Sequence, residues 1–456
     1  MFAKVLETPA VHPLLDSAEK GGVLSWTGVT AAAQPFITAL LRARFPDRTL
    51  VVVTDQLKTQ ESFQQDLTTW VDVLGTPAEN DTAQESPTTA ARKPMFFPSW
   101  EMLPQESRLP HVDVIGDRLE TLISLASPQR GPTAPLIVAS VTALLQRTFP
   151  QPGFTAQLRL VQKGEVIEPL DLIEWLEDRG YEPEAQVTQK GEIALRGGIV
   201  DIFPLTSPWP VRLEFFGDEL ESLRFFDPLT QISREEISSV VIPPAGELGL
   251  LKRNLPDGPT AGIGSDSTAK LGTLLDYLGR DTLLVCCEPA LLQVQAEEYE
   301  RQVPQQYPLF ITWRALQDEA RAKGITIIKL ADTDAELENQ AQVADFDLQS
   351  LEAFRPLAER PPDPQIAQEQ RREFFAQIHR WLRQDYAVYL FCNNDGERQR
   401  FLEIWNEYGL EETAAAIQPA DNAHRQLTVR LGSLARGFLS EQARLVVVTD
   451  AEIFGR

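Results

Sequence analysis

The residues of this chain best equipped to act on another molecule lie between Arg196 and Phe226. One stretch reads Arg196-Gly-Gly-Ile-Val-Asp-Ile-Phe-Pro204, and a second reads Val211-Arg-Leu-Glu-Phe-Phe-Gly-Asp-Glu-Leu-Glu-Ser-Leu-Arg-Phe-Phe226. Side chains alternate across a β-strand, so Val211, Leu213 and Phe215 share one face and Arg212, Glu214 and Phe216 the other. A core requires only the first face. An arginine, a carboxylate and a phenylalanine side by side on the second are the chemistry of a protein interface, where arginine and aromatic residues are enriched. The alternative for Arg212 is a cross-strand pair with Glu219 or Glu221, which would contribute little energy at a surface.

The elements that must position these residues follow from the same stretch. Residues 199–203 are rich in β-branched side chains and end at Pro204, which cannot donate to a ladder. Residues 211–216 and 219–226 are two further strands, joined by Gly217-Asp218, a two-residue hairpin turn. Strands are also expected near 191–195 and 237–242. A helix starting at Pro169 and ending at Gly180 should pack through Leu170, Ile173 and Leu176. The region around 150–243 is therefore α+β. On both sides the pattern changes to strands alternating with helices, which means a parallel sheet covered on two faces. Strands are expected at 22–26, 50–54, 95–97, 136–139, 282–286 and 325–330, with helices at 31–43, 61–74, 114–125 and 291–301. Residues 76–94 are polar and should form a surface loop. The acidic stretch 331–365, ending in Arg360-Pro-Pro-Asp-Pro364, has the composition of a linker. A last α/β unit has helices at 373–384 and 396–408 and strands at 387–392, 427–431 and 445–449.

The segment from Arg196 to Phe226 resembles the UvrA-binding domain shared by UvrB and the bacterial transcription-repair coupling factors. The resemblance extends to Phe97-Pro-Ser-Trp-Glu-Met-Leu-Pro-Gln-Glu-Ser-Arg-Leu-Pro-His111, to Asp117-Arg-Leu-Glu-Thr-Leu122, to Asp227-Pro-Leu-Thr-Gln231 and to Leu445-Val-Val-Val-Thr-Asp-Ala-Glu-Ile-Phe454. It implies a multi-domain α/β fold. A degenerate helicase-like domain spans 1–149 and 244–345, a UvrA-binding α+β domain is inserted at 150–243, a linker covers 346–365, and a third α/β domain covers 366–456. It also implies that UvrA contacts fall on Arg196, Arg212 and Phe216, with Glu214 a weaker addition. In that family a C-terminal remainder binds RNA polymerase and drives along DNA with ATP and magnesium, so this chain is expected to be an excerpt of a longer protein. Its implied role is to recruit UvrA for nucleotide excision repair at stalled polymerase. The rival readings are a UvrB-like damage-verification protein and a divergent helicase fragment.

Both rivals lack their chemistry here. A P-loop needs glycine amides to cradle phosphates and a lysine to reach them. The corresponding stretch reads Trp26-Thr-Gly-Val-Thr-Ala-Ala-Ala-Gln-Pro-Phe36, with Ala32, Ala33, Gln34 and Pro35 where Gly-Lys-Ser/Thr would stand. No nucleotide cofactor or ATPase activity is expected of this chain. Asp450 and Glu452 imitate a Walker B pair but read more simply as acids at a strand end facing solvent. Likewise Glu177, Asp178, Glu411 and Glu412 read as solvated helix charges. The tyrosine-studded hairpin of UvrB has no counterpart in residues 95–113, where Trp100 reads as core packing.

Composition excludes further classes. The 456 residues are 43% hydrophobic and 24% charged, a soluble globular balance with room for roughly three domains. Four histidines and the cysteines Cys286, Cys287 and Cys392 give neither a metal-ligand spacing nor a disulfide framework. No signal peptide or membrane span is apparent, so the chain reads as cytoplasmic. The net charge of −24 opposes binding to a phosphate backbone.

Overall fold

The computed structural model describes residues 1–6, 8, 11–75, 93–127, 133–253, 255, 271–333, 343–352, 364–407 and 427–454. Most of the expected loop at 76–94, most of the stretch 331–365 and the pair Glu411 and Glu412 lie outside them.

The first segment contributes strands β1 (Val23–Val29), β2 (Leu50–Thr54), β3 (Met95–Phe97) and β4 (Leu136–Ser140). The middle segment contributes β5 (Arg159–Gln162), β6 (Glu182–Pro183), β7 (Glu192–Arg196), β8 (Ile199–Ile202), β9 (Val211–Phe216), β10 (Glu219–Phe226), β11 (Ser233–Ile237) and β12 (Ser239–Ile242). Then come β13 (Leu283–Cys287), β14 (Thr326–Leu330) and β15 (Val343–Ser350), followed by β16 (Ala387–Cys392), β17 (Leu427–Leu431), β18 (Phe438–Ser440) and β19 (Leu445–Thr449).

Eleven of these strands form one sheet in the order β17-β16-β19-β18-β15-β1-β14-β13-β2-β4-β3. Every pairing is parallel except those of β18, which runs antiparallel to both β15 and β19. Strands covered on both faces have no solvated side, which is why β2, β4, β13 and β19 read as unbroken apolar runs and are buried throughout. Alternation divides their side chains between two cores. Val51, Val53, Ile137 and Ala139 belong to one, and Leu50, Val52, Leu136 and Val138 to the other. No described helix is long and apolar enough to cross a membrane.

One expectation is corrected. Residues 346–350, assigned to a linker, belong to β15, which pairs with β1 on one side and β18 on the other. The strands of the last unit thereby continue the main sheet. Val343–Ser350 sets acids among its apolar residues, which gives it the composition of a linker although it forms a strand.

The middle segment builds a six-stranded sheet of order β11-β10-β9-β8-β7-β6, beside a two-stranded ribbon of β12 and β5. The helix Pro169–Asp178 covers its inner face. Leu176 is buried and Ile173 packs partly buried against the same core, as expected, whereas Leu170 is 61% exposed and Leu172 takes the buried place in its stead. The chain enters and leaves this module beside the helix Val112–Ala126. There Glu247, with a fully buried side chain, accepts from Arg118 Nε at 2.6 Å and Nη2 at 3.0 Å, and from Trp100 Nε1 at 3.0 Å. Gln146 extends the network, accepting from Trp100 N at 2.8 Å and donating to the Tyr299 hydroxyl at 3.1 Å. Gly116 on the same helix lies against the middle module, where a Cβ would stand 2.7 Å from the Leu205 carbonyl oxygen. Any larger residue there would force the two bodies apart.

Candidate protein-binding surface

The register places the expected surface residues on one face. Arg212 in β9 lies opposite Asp201 in β8, which in turn lies opposite Ala194 in β7. Glu214 lies opposite Ile199, and Arg196 pairs with the same Ile199 from the other side. Val211 and Leu213, one step out of phase, are fully buried against the helix. The Gly197-Gly198 turn permits this arrangement, because Phe215 N donates to the Gly198 carbonyl at 2.8 Å. A Cβ on Gly198 would approach the Phe215 carbonyl oxygen to 2.9 Å.

Asp201 is the centre of the outer face. Its side chain is completely buried and accepts from Arg212 Nε at 2.7 Å, Arg212 Nη2 at 2.8 Å and Arg196 Nη2 at 2.6 Å. Arg212 therefore pairs with Asp201, and not with Glu219 or Glu221. The hydrogen bonds from Arg212 to Asp201 hold its guanidinium above the usual arginine range. Arg212 also lies over the Phe226 ring, 4.4 Å from its centroid. Phe226 belongs to a small apolar cluster with Val187, Ala194 and Phe203. The outer face thus has a second, minor core of its own, which a reading of one buried face and one free face does not provide.

Exposure divides the four expected residues. The Arg212 side chain is only 14% exposed, whereas that of Arg196 is 46% exposed. Phe216, at the hairpin turn, is 77% exposed. Glu214 is occupied within the sheet, accepting from Ser222 Oγ at 2.7 Å and Arg224 Nη2 at 2.9 Å. Asp201 is the residue that the sequence reading passed over. Its signal was present: an acid at the polar phase of an otherwise apolar strand, opposite an arginine at the matching phase of the next.

The other candidate sites are closed. Where the P-loop would stand, β1 ends at Val29, a 3-10 turn covers Ala31–Ala33 and the helix Gln34–Arg44 follows. Gln34 is buried, and its amide donates to the Val29 carbonyl at 3.3 Å and to the Glu288 carboxylate. Asp450 and Glu452 do not face solvent as expected. Glu452 is buried and accepts from Thr449 N at 2.8 Å, Thr449 Oγ1 at 2.6 Å and Gly437 N at 3.1 Å, while Asp450 accepts from Asn393 at 2.8 Å. Their role is to cap the helix Asp450–Phe454 and tie loops to it. Trp100 is buried, Glu177 and Asp178 are exposed, and burial pushes the Cys286 thiol up to about 12.

Residues 160–248 match the family model of the UvrB interaction domain. The chain is 26% identical over 408 residues to the transcription-repair-coupling factor of Haemophilus influenzae, covering 79% of this chain and 34% of that protein. Against the Escherichia coli K12 protein of the same name identity is 38% over 153 residues, 34% of this chain and 13% of the relative. Against that of Bacillus subtilis it is 30% over 221 residues, 48% and 17% respectively. The chain spans about a third or less of the length of these relatives. Sequence, fold and matches agree on a chain similar to the N-terminal portion of a transcription-repair-coupling factor, carrying a UvrB interaction domain.

Proposed function

We propose that this portion recruits UvrA, through the outer face of the middle sheet, to an RNA polymerase stalled at DNA damage. The observation that carries the proposal is Phe216, 77% exposed at a hairpin turn, on the face that gathers Arg196 and Arg212 around the buried Asp201. The face lies inside the UvrB interaction domain match. An aromatic anchor flanked by a fixed arginine is typical of an interface hot spot, because little side-chain entropy remains to be lost on binding. Arg196 keeps part of its fork in solvent and supplies N–H donors to an acidic or carbonyl-rich partner surface.

Within this reading the chain is a non-catalytic docking piece. Contact with polymerase, and ATP-driven movement on DNA, belong to other parts of the longer protein. The Gln34 amide, standing where a phosphate-binding lysine would be needed, supports this assignment. The net charge of −24 supports a protein partner over duplex DNA.

A calorimetric titration of the purified chain with UvrA tests the proposal. Saturable binding that Phe216→Ala and Arg196→Ala each weaken, with melting temperatures unchanged, is expected. Binding by both variants equal to the parent chain would overturn the site, and no binding by the parent chain would overturn the function. ATP turnover by the chain, abolished by Gly28→Ala, would overturn its non-catalytic role.

A further inference from the structure

Between β10 and β11 the chain makes a short turn, Asp227-Pro-Leu-Thr-Gln-Ile232, that neither the fold nor the assigned contacts account for. Leu229 is 88% exposed and Ile232 is 67% exposed. Exposed aliphatic residues are common singly, but here two stand within four positions of one turn. This turn holds them out. Asp227 Oδ1 accepts from Leu229 N and Thr230 N, both at 2.9 Å. Asp227 N donates to the Ile232 carbonyl at 3.0 Å, and Gln231 N to the Asp227 carbonyl at 2.8 Å, which closes the turn. Gln231 takes up a left-handed backbone conformation, with φ of 60°.

The turn is fastened to the outer face by Gln231. Its Oε1 accepts from Arg212 Nη2 at 3.1 Å, its carbonyl accepts from Arg212 Nη1 at 3.4 Å, and its Nε2 donates to Val187 O at 3.3 Å. The guanidinium that holds Asp201 therefore also holds the turn. Arg212, with 14% of its side chain exposed, has little surface left for a partner and many bonds to its own module.

We infer that the Asp227–Ile232 turn is a second anchor of the UvrA-binding surface, with Leu229 and Ile232 entering the partner and Arg212 acting as its positioning residue through Gln231. The inference rests on the reading of the outer face given above. Continuity favours the same partner at both ends, because Arg212 joins the turn directly to the Asp201 cluster. The eight residues of β10 separate the Phe216 hairpin from this turn by roughly 25 Å, the breadth of one ordinary interface patch. A partner seated on Phe216 and Arg196 has only to continue along the sheet to cover Leu229.

The test is a titration of the full chain with purified UvrA, accompanied by melting curves and sedimentation of the chain alone. The Leu229→Ala/Ile232→Ala double variant should bind about tenfold more weakly or worse, with unchanged melting. Gln231→Ala should lose several-fold, Gln231→Glu should lose binding as well, because it keeps the acceptor for Arg212 but turns an oxygen toward the Val187 and Pro228 carbonyls, and Gln231→Ala should add nothing in an Arg212→Ala background. That lack of additivity is what separates a positioning role from two independent contacts. If Phe216→Ala weakens binding while the double variant binds normally, the second anchor is refuted and the site reading stands. If the parent chain fails to bind UvrA, the site reading falls first and the anchor with it. Self-association of the parent chain, lost in the double variant while UvrA binding is kept, would assign the turn to a second copy and refute the inference.

Discussion

Two arginine–carboxylate pairs, built from the same groups at similar distances, do different work in this molecule. Glu247 and Arg118 both have fully buried side chains, and the carboxylate is further engaged by Trp100. Asp201 is equally buried, but its two arginines come from the solvent side and one of them, Arg196, stays 46% exposed. The first pair joins residues that lie far apart in sequence, where the middle module meets the main sheet. The second joins neighbouring strands and ends in free N–H groups. Under the proposed role, burial of the cation, more than the strength of the bond, is what separates a fastening from a recognition device. An interior pair is satisfied by its own protein, whereas a half-buried one presents a fixed, partly unsatisfied donor to a partner.

The sharpest way to break this comparison is to remove the interior carboxylate. Glu247→Ala leaves Arg118 charged and enclosed, with only the Pro98 carbonyl and the Gln146 amide oxygen as hydrogen-bond acceptors among the described residues, and should lower stability by about 3–5 kcal/mol, measured by denaturant unfolding. An effect within about 0.5 kcal/mol would mean that Glu247 does not fasten the two bodies. Arg212→Ala comes next. Its loss leaves Asp201 with Arg196 alone and unties Gln231, so stability should fall by about 2 kcal/mol in addition to any loss of UvrA binding. A variant that melts like the parent would show that Arg196 suffices for Asp201.

The polar phase of β9 could be read from the alternation of 211–216, and the two-residue turn from Gly217-Asp218. The consequence for Arg212 could not. Sequence alternation says which face a side chain leaves by, not whether that face later acquires its own cover. Here Phe203 and Phe226, together with the distant Val187, build a second small core on the outer face and draw Arg212 down onto it. The strands of the main sheet were legible because unbroken runs such as Leu50–Thr54 have few alternatives to a doubly covered strand. Strand β15 was not, because its pairing depends on β1 and β18, each supplied from a remote part of the chain.

Phe216 sharpens the recognition side of the comparison. It packs into no core cluster and is 77% exposed, so Phe216→Ala should leave stability within about 0.5 kcal/mol of the parent. The same change should weaken UvrA binding by about 2 kcal/mol. Paired melting and titration curves separate these effects. Early melting would place Phe216 with the fold and leave Arg196 alone to represent recognition.

A third carboxylate supplies the control that neither pair offers. Asp66, on the helix Leu57–Gly75, is buried and accepts from Ala435 N at 2.8 Å, in the loop between β17 and β18. Its neighbours Gln65 and Thr69 hydrogen-bond to Ser433 in the same loop. Burial without a compensating cation pushes its carboxyl up to about 7. A carboxyl raised in the folded state favours folding in its protonated form. Its stabilising contribution is complete below the unfolded-state pKa of about 3.9 and is lost as pH rises through about 7. Between pH 6 and pH 8 the parent chain should therefore lose about 1 kcal/mol through this group. Asp66→Asn keeps an acceptor for Ala435 N without the titration, so the variant should already be more stable than the parent near pH 6, by a margin that widens toward pH 8. Equal pH dependence in the two proteins, followed by urea unfolding, would mean that solvent or an induced partner neutralises Asp66 as effectively as arginine does Glu247 and Asp201.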